Sequence, residues 1–165
     1  MRWRLLLVAL LLAGCTDEAR QSYMSLSGRL FIFNPRMGSA TYVVTLAVNK
    51  TPPEGSHVVA TFENPAGGSA LVVEQKIFPA QQKISLESEN LTCIKKGRRY
   101  AFEVVLQDAA GTQLQKVTSS IESTLDQSIM PDAPLVEGPA YDPNPALKGR
   151  KDGKIEGLVK PACPA

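Results

Sequence analysis

Apolar residues recur at every second position in short runs through the middle of this chain, between residues 24 and 129. The strongest stripe consists of Tyr100, Phe102, Val104 and Leu106. Successive side chains of a β-strand point to opposite faces of a sheet, so this alternation predicts strands with one buried face. Helical periodicity is almost absent, and the pattern therefore predicts an all-β fold.

Seven such runs are separated by turn-forming residues such as Asn34-Pro35, Gly67-Gly68 and the segment 108–111. Short strands spaced in this way are typical of a β-sandwich, and the wet face of each strand favours antiparallel pairing. We predict a seven-stranded antiparallel β-sandwich of immunoglobulin or fibronectin III type over residues 24–129. The predicted strands cover residues 25–33, 41–48, 57–63, 71–77, 83–89, 100–106 and 113–121. A change of parity between Leu114 and Val117 predicts a β-bulge in the last strand.

The segment Ile94-Lys95-Lys96-Gly97-Arg98-Arg99-Tyr100 places an apolar residue six positions before a tyrosine that opens the strongest strand. This segment resembles the tyrosine corner of fibronectin III domains and related sandwiches. The resemblance implies that the phenol hydroxyl of Tyr100 bonds to the backbone of the preceding loop. An ordinary core tyrosine at the start of a strand is the alternative.

The N-terminal residues have the order of a secretory signal. Arg2 and Arg4 precede an apolar run from Leu5 to Leu12, which is too short to span a bilayer but suits a signal peptide. The sequence Leu12-Ala13-Gly14-Cys15 follows and is similar to the lipobox of bacterial lipoproteins. The resemblance implies a signal peptide over residues 1–14, lipid on Cys15 and a tether over residues 15–23. An ordinary signal peptide that happens to end in a cysteine is the alternative.

The lipobox also implies where the protein resides. Thr16 follows the modified cysteine in place of the aspartate that resembles an inner-membrane retention signal. We therefore expect the protein on the periplasmic face of the outer membrane, held by membrane lipid through Cys15. The inner membrane and the cell surface are the alternatives. Two or more acyl chains are needed for stable anchoring.

Charge and cysteine content narrow the possible partners. Without Arg2 and Arg4 the 18 basic residues fall to 16, which equals the 16 acidic residues, so the processed chain is neutral. Neutrality argues against a nucleic acid partner, which requires clustered cations.

With Cys15 lipidated, Cys93 and Cys163 remain, and in an oxidising compartment two such cysteines are expected to form a disulfide. A metal site is the weaker alternative, because two lone cysteines cannot fill a tetrahedral shell.

The last segment, residues 130–165, carries seven of the twelve prolines and reads as an irregular, extended tail. Basic residues cluster both in this tail and around Gly97. The tail cluster consists of Lys148, Arg150, Lys151, Lys154 and Lys160. The loop cluster consists of Lys95, Lys96, Arg98 and Arg99, which are our candidate binding residues. A disulfide would bring the two clusters into one patch for phosphate-bearing lipid or an acidic protein; solubilising loop charges are the alternative.

Motifs for catalysis or cofactor binding are missing from the sequence, and we expect neither an enzyme nor a cofactor or metal protein. The processed chain has one histidine, His57, predicted on the outer face of a strand, and contains no metalloprotease, nucleophile-elbow or phosphate-loop motif.

The segments Ser27-Gly28-Arg29-Leu30 and Lys96-Gly97-Arg98-Arg99-Tyr100 resemble the order found in secretin-pilotin lipoproteins. That resemblance implies an envelope accessory or assembly protein that binds an envelope protein partner. A carbohydrate- or small-ligand-binding module is the alternative, although exposed aromatic residues are few beyond Phe31 and Phe78.

Replacing Cys15 with serine is expected to abolish lipidation and to leave an unprocessed precursor, because the thiol that accepts the lipid is removed. Metabolic labelling with palmitate measures this directly. Undiminished label in the Cys15→Ser variant would contradict the assignment of the lipobox.

Overall fold

The β-strands of the computed structural model follow the alternating runs closely. The structure describes residues 22–158 and 162–164, so the predicted signal peptide, Cys15 and most of the tether lie outside the described residues. The long strands are β1 (Met24–Asn34), β2 (Ser39–Val48), β3 (His57–Phe62), β4 (Leu71–Lys76), β5 (Lys83–Glu87), β6 (Arg99–Gln107) and β7 (Gln113–Glu122). A 3-10 helix (Gln127–Ile129) follows β7. The tail contains two short strands, β8 (Val136–Glu137) and β9 (Asp142–Pro143), and a second 3-10 helix (Pro145–Leu147).

The long strands form two antiparallel sheets. One sheet has the order β1-β2-β5 and the other has the order β4-β3-β6-β7. The two short strands pair with each other in a separate hairpin. The predicted antiparallel β-sandwich is therefore confirmed.

The core lies between the two sheets, because each strand turns its apolar stripe inward. The stripe of β6 predicted from the sequence is almost completely buried, and so are the inward residues of β2, β3 and β5. Burial of this kind contributes about 1.5–3 kcal/mol for each large apolar side chain. The most deeply buried aliphatic members are Val44, Leu46, Val58, Ile84, Leu86, Val104 and Leu106.

Two buried tyrosines join the sheets to the loops at one end of the sandwich. The Tyr100 hydroxyl accepts the backbone N–H of Lys95 at 2.7 Å, as the resemblance to a tyrosine corner implies. The Tyr42 hydroxyl donates to the carbonyl of Glu63 at 2.9 Å, and its ring stacks on Phe62 with centroids 5.1 Å apart. Burial raises the pKa of Tyr42 well above its ordinary value, so its hydroxyl remains a donor.

Two β-bulges change the side-chain parity. In β7 the register passes from Gln113 opposite Gln107 to Gln115 opposite Leu106, which leaves Leu114 as the extra residue and confirms the predicted bulge. In β1 the register skips Ser27, whose hydroxyl donates to the Thr45 carbonyl. This second bulge was not predicted from the sequence.

The bulge in β1 corrects one prediction. We expected Phe31 on the outer face, but its ring packs inside, with its centroid 4.8 Å from that of Tyr42 and 5.6 Å from that of Tyr100. Leu30 and Ile32 take the outer face instead and are 49% and 43% exposed. A single extra residue reverses the face of every side chain that follows it.

Changing Tyr100 to phenylalanine is expected to lower the free energy of unfolding by about 1–2 kcal/mol, because the Lys95 N–H loses its acceptor while the ring stays in place. Urea denaturation measures the change, with Tyr141→Phe as a control at an exposed tyrosine. Equal denaturant midpoints for Tyr100→Phe and the unmodified protein would show that the hydroxyl bond contributes nothing.

Candidate functional site

The strand directions divide the loops into two ends. The end where Ser22 leads into β1 also carries the loops 49–56, 77–82 and 108–112, and we call it the proximal end. The other end carries the loops 35–38, 63–70 and 88–98 and the whole segment after β7, and we call it the distal end. All four candidate binding residues and both cysteines of the predicted disulfide lie at the distal end.

A tight turn positions the basic loop cluster. Gly97 adopts a φ of +74°, which a side chain would strain, and Arg98 N–H donates to the Lys95 carbonyl at 3.3 Å. Gly97 N–H also donates to the Ser123 carbonyl at 2.8 Å, so the turn is fastened to the end of β7. Ile94 is buried beneath the loop. The cluster is thus a well-supported feature at the edge of the core.

Ion pairs neutralise half of this cluster. The Arg98 guanidinium lies 2.9 Å from the Glu63 carboxylate and 4.9 Å from the centroid of the Tyr100 ring. Arg99 pairs with Glu122 at 3.0 Å, because these residues are opposite each other on β6 and β7. The Glu63 carboxylate additionally accepts the N–H of Ala101. The charges of Arg98 and Arg99 are therefore paired with carboxylates at the ends of neighbouring strands.

The two lysines of the cluster differ. The Lys95 ammonium donates to the Pro164 carbonyl at 2.5 Å and so contacts the end of the tail. Lys96 is exposed at the turn. It offers the clearest free positive charge of the cluster.

Cys93 and Cys163 lie at disulfide distance, with their Cα atoms 5.4 Å apart and a bond between their sulfur atoms. The predicted pairing of these two cysteines is confirmed by their distance in the structure. Cys93 is buried beside the core, whereas Cys163 is exposed. Closing a loop of 70 residues stabilises the fold by about 4 kcal/mol in the chain-entropy model.

The tail is more ordered than the extended segment that we predicted. Asp132 organises its middle: its carboxylate accepts the Ile155 N–H at 2.8 Å, and its backbone N–H donates to the Gly153 carbonyl. Asn144 caps the second 3-10 helix and also donates to the Pro134 carbonyl at 2.7 Å. The tail is tied to the sandwich where Leu135 N–H donates to the Arg36 carbonyl at 2.9 Å.

The basic residues of the tail support its fold. Lys154 donates to the carbonyls of Ser128 and Met130 and lies 3.8 Å from the Asp132 carboxylate. Arg150 pairs with Glu156 at 2.8 Å. Lys160 lies outside the described residues, and Lys148 and Lys151 are exposed. The disulfide joins the tail end to the Lys95 loop, but much of the charge of the two clusters is already matched.

Sequence reasoning missed Asp132 and Asn144 as organisers of the tail. Asn144 precedes Pro145, and an asparagine before a proline is a signal for the start of a helical turn that was available in the sequence. The contacts of Asp132 are with residues more than twenty positions away. No local pattern could reveal them.

His57 and Phe78, the remaining residues considered as candidates, lie on the surface of the sandwich. His57 lies on the outer face of β3 as predicted, and its Nε2 is 2.9 Å from Gln107 Oε1. Within the described part of the chain, no three histidine, cysteine or carboxylate side chains are grouped to hold a metal ion. Phe78 is 65% exposed, as predicted, beside a groove of about 360 Å³ at the proximal end.

No protein-family model matches this chain, and no curated protein sequence is significantly similar to it. Among residues 22–158 and 162–164, no helix is both long enough and apolar enough to cross a bilayer.

Reducing the disulfide is expected to release the tail end while the sandwich stays folded, because the core strands do not include either cysteine. Non-reducing mass spectrometry should show a peptide pair joining Cys93 and Cys163, and limited proteolysis after reduction should cut the tail first. Cys163→Ser serves as a matched variant that should show the same cleavage without reductant. Two free thiols in protein isolated without reductant would contradict the pairing, and a bridge between two molecules would indicate a covalent dimer.

Proposed function

We propose that this chain is a lipid-anchored cell-envelope accessory or assembly protein that acts by binding another envelope protein, in the manner of a pilotin. In this proposal it catalyses no reaction and needs no cofactor. The observation that supports it best is the separation of the two ends of the sandwich. The chain enters at the proximal end, whereas the disulfide, the basic turn and the folded tail lie at the distal end.

This separation suits a tethered binding protein. A strand of ten residues, such as β2, is about 33 Å long. In an upright sandwich anchored through Cys15, the distal end would therefore stand well away from the lipid headgroups. We place the anchor in the outer membrane, facing the periplasm, on the grounds of Thr16 after the lipobox.

The distal end has the chemistry of a protein-binding surface. More than half of the exposed large hydrophobic residues among the described ones lie in its loops or in the tail: Met37, Leu125, Ile129, Tyr141 and Leu158. The Arg36 guanidinium covers the Tyr141 ring at 4.8 Å from the centroid. Exposed apolar residues that form one contiguous patch mark binding sites, and tyrosine and arginine are among the residues most often central to protein interfaces. Lys96 adds a free positive charge to this end.

Within the sandwich class we infer the fibronectin III form. The strand β4 pairs with β3 and not with β5, whereas the constant-type immunoglobulin arrangement puts the fourth strand beside the fifth. The hydroxyl bond of Tyr100 to the Lys95 backbone also supports this assignment.

A carbohydrate- or small-ligand-binding module is the second candidate. The proximal groove beside Phe78 is the observation that favours it, since pockets of about 300 Å³ or more accommodate small ligands. The groove offers one exposed aromatic ring, and the polar side chain of Gln81 is already engaged with the Phe78 N–H. A protein-binding role fits the distribution of exposed residues better.

Photo-crosslinking in intact cells tests the proposal. A photoreactive amino acid in place of Tyr141 is expected to give a defined protein adduct, because this residue is exposed at the distal end. The same substitution at Ser85, an exposed position on β5, is the matched control and should give no such adduct. The adduct should also disappear in the Cys15→Ser background. An uncrosslinked monomer from the Tyr141 position would contradict the accessory role.

A further inference from the structure

Phe78 is the most exposed of the large hydrophobic side chains in the described part of the chain, at 65%. Its loop is held in shape by two bonds: Gln81 N–H donates to the Phe78 carbonyl at 3.2 Å, and Phe78 N–H donates to Gln81 Oε1 at 3.1 Å. Ala80 adopts a φ of +63°, which an alanine rarely takes. The fold thus accepts local strain in a loop that presents an aromatic ring to solvent.

Apolar groups from neighbouring loops adjoin this ring. The groove beside Phe78 is lined by the loops 49–56 and 77–82, and Pro53, Pro79 and Ala80 are exposed there. The loop 108–112 packs against the first of these, since a Cβ on Gly55 would lie 2.9 Å from the Ala109 Cβ. Ala109 is itself exposed.

The charges at this end nearly balance, with three lysines against two carboxylates. Lys50 is exposed, and so is Glu54 in the same loop. The carboxylate of Asp108 accepts the N–H groups of Ala110 and Thr112, which hold its pKa below the ordinary value. Lys76 and Lys83 lie exposed at the proximal ends of β4 and β5. No strong field of either sign opposes contact with an apolar or weakly anionic surface.

The chain enters the sandwich at the same end. The Tyr23 carbonyl accepts the N–H groups of Asn49 at 2.8 Å and Lys50 at 3.2 Å, and the Lys50 ammonium lies 4.9 Å from the centroid of the Tyr23 ring. Cys15 precedes Ser22 by seven residues, which can span at most about 25 Å. A lipid on Cys15 would therefore keep Ser22, at the same end as the Phe78 loop, within about 25 Å of the bilayer surface.

We propose that the proximal end is a membrane-contact surface, in which Phe78 enters the interfacial region of a phospholipid bilayer and the sandwich stands with its distal end outward. This inference rests on the proposed lipid anchor. Phenylalanine is among the apolar residues that enter the membrane–water interface of peripheral membrane proteins, and lysine side chains can reach the headgroups from beside it. A single ring binds lipid weakly, but the anchor makes its encounter with the bilayer intramolecular and so raises its effective concentration.

The absence of tryptophan from residues 15–165 makes a direct test possible, because the one tryptophan of the sequence is Trp3. The Phe78→Trp variant, purified with its lipid and reconstituted into vesicles of phosphatidylethanolamine and phosphatidylglycerol, carries one fluorescent reporter. Val72→Trp is the matched control, since Val72 is 62% exposed near the distal end of β4. Brominated acyl chains in the vesicles quench a tryptophan that reaches the interface.

We expect a blue shift and a loss of fluorescence for Phe78→Trp in brominated vesicles and neither change for Val72→Trp. Unquenched Phe78→Trp in fully lipidated protein would overturn the membrane contact and leave the anchor intact. The proximal end would then be a surface for a protein or a small ligand. Equal quenching at both positions would overturn the upright arrangement, since the sandwich would then lie flat. The mass of the N-terminal peptide provides the separate check: a Cys15 without acyl chains would overturn the anchor itself.

Discussion

The hydrogen bond from the Lys95 backbone to the Tyr100 hydroxyl, at 2.7 Å, connects the core of this protein to the distal loop that carries the basic turn and Cys93. The Tyr100 ring is fixed by the packing between the sheets, so its hydroxyl is a rigid acceptor at the edge of the core. The loop that it holds contains Cys93, and through the disulfide the same loop holds Cys163. The phenol and the disulfide together hold the end of the tail at this loop, while the bond from the Leu135 N–H to the Arg36 carbonyl ties its middle to the sandwich.

The strands could be predicted from the sequence because burial between two sheets acts separately on each alternating run. The stripes of β2, β3, β5 and β6 each show their buried face without reference to a partner strand. Phe31 was misplaced because Ser27 bulges, and a bulge depends on the pairing with β2. Leu114 was found because its neighbours change parity within the run itself.

The candidate site was only partly predictable for a similar reason. The position of Lys95, Lys96, Arg98 and Arg99 in a turn follows from Gly97 and the strand beside it. Their partners do not: Glu63 and Glu122 reach the arginines through the register of the sheet, and Pro164 reaches Lys95 through the disulfide. The fold of the tail was missed because polar contacts across more than twenty residues, such as those of Asp132, leave no hydrophobic pattern.

An odd number of strands between the entry at Ser22 and the end of β7 has a mechanical meaning. Tension between a membrane anchor at one end and a bound partner at the other would run along β1 and β7, parallel to the strands. The hydrogen bonds of an antiparallel ladder lie across that direction. These hydrogen bonds would therefore be loaded in shear and would bear the force together. They would not break one after another, as they do when the two strands of a hairpin are pulled apart from one end. The disulfide would pass tension on the tail into the loop above Tyr100, whose hydroxyl bond joins that loop to the packed core.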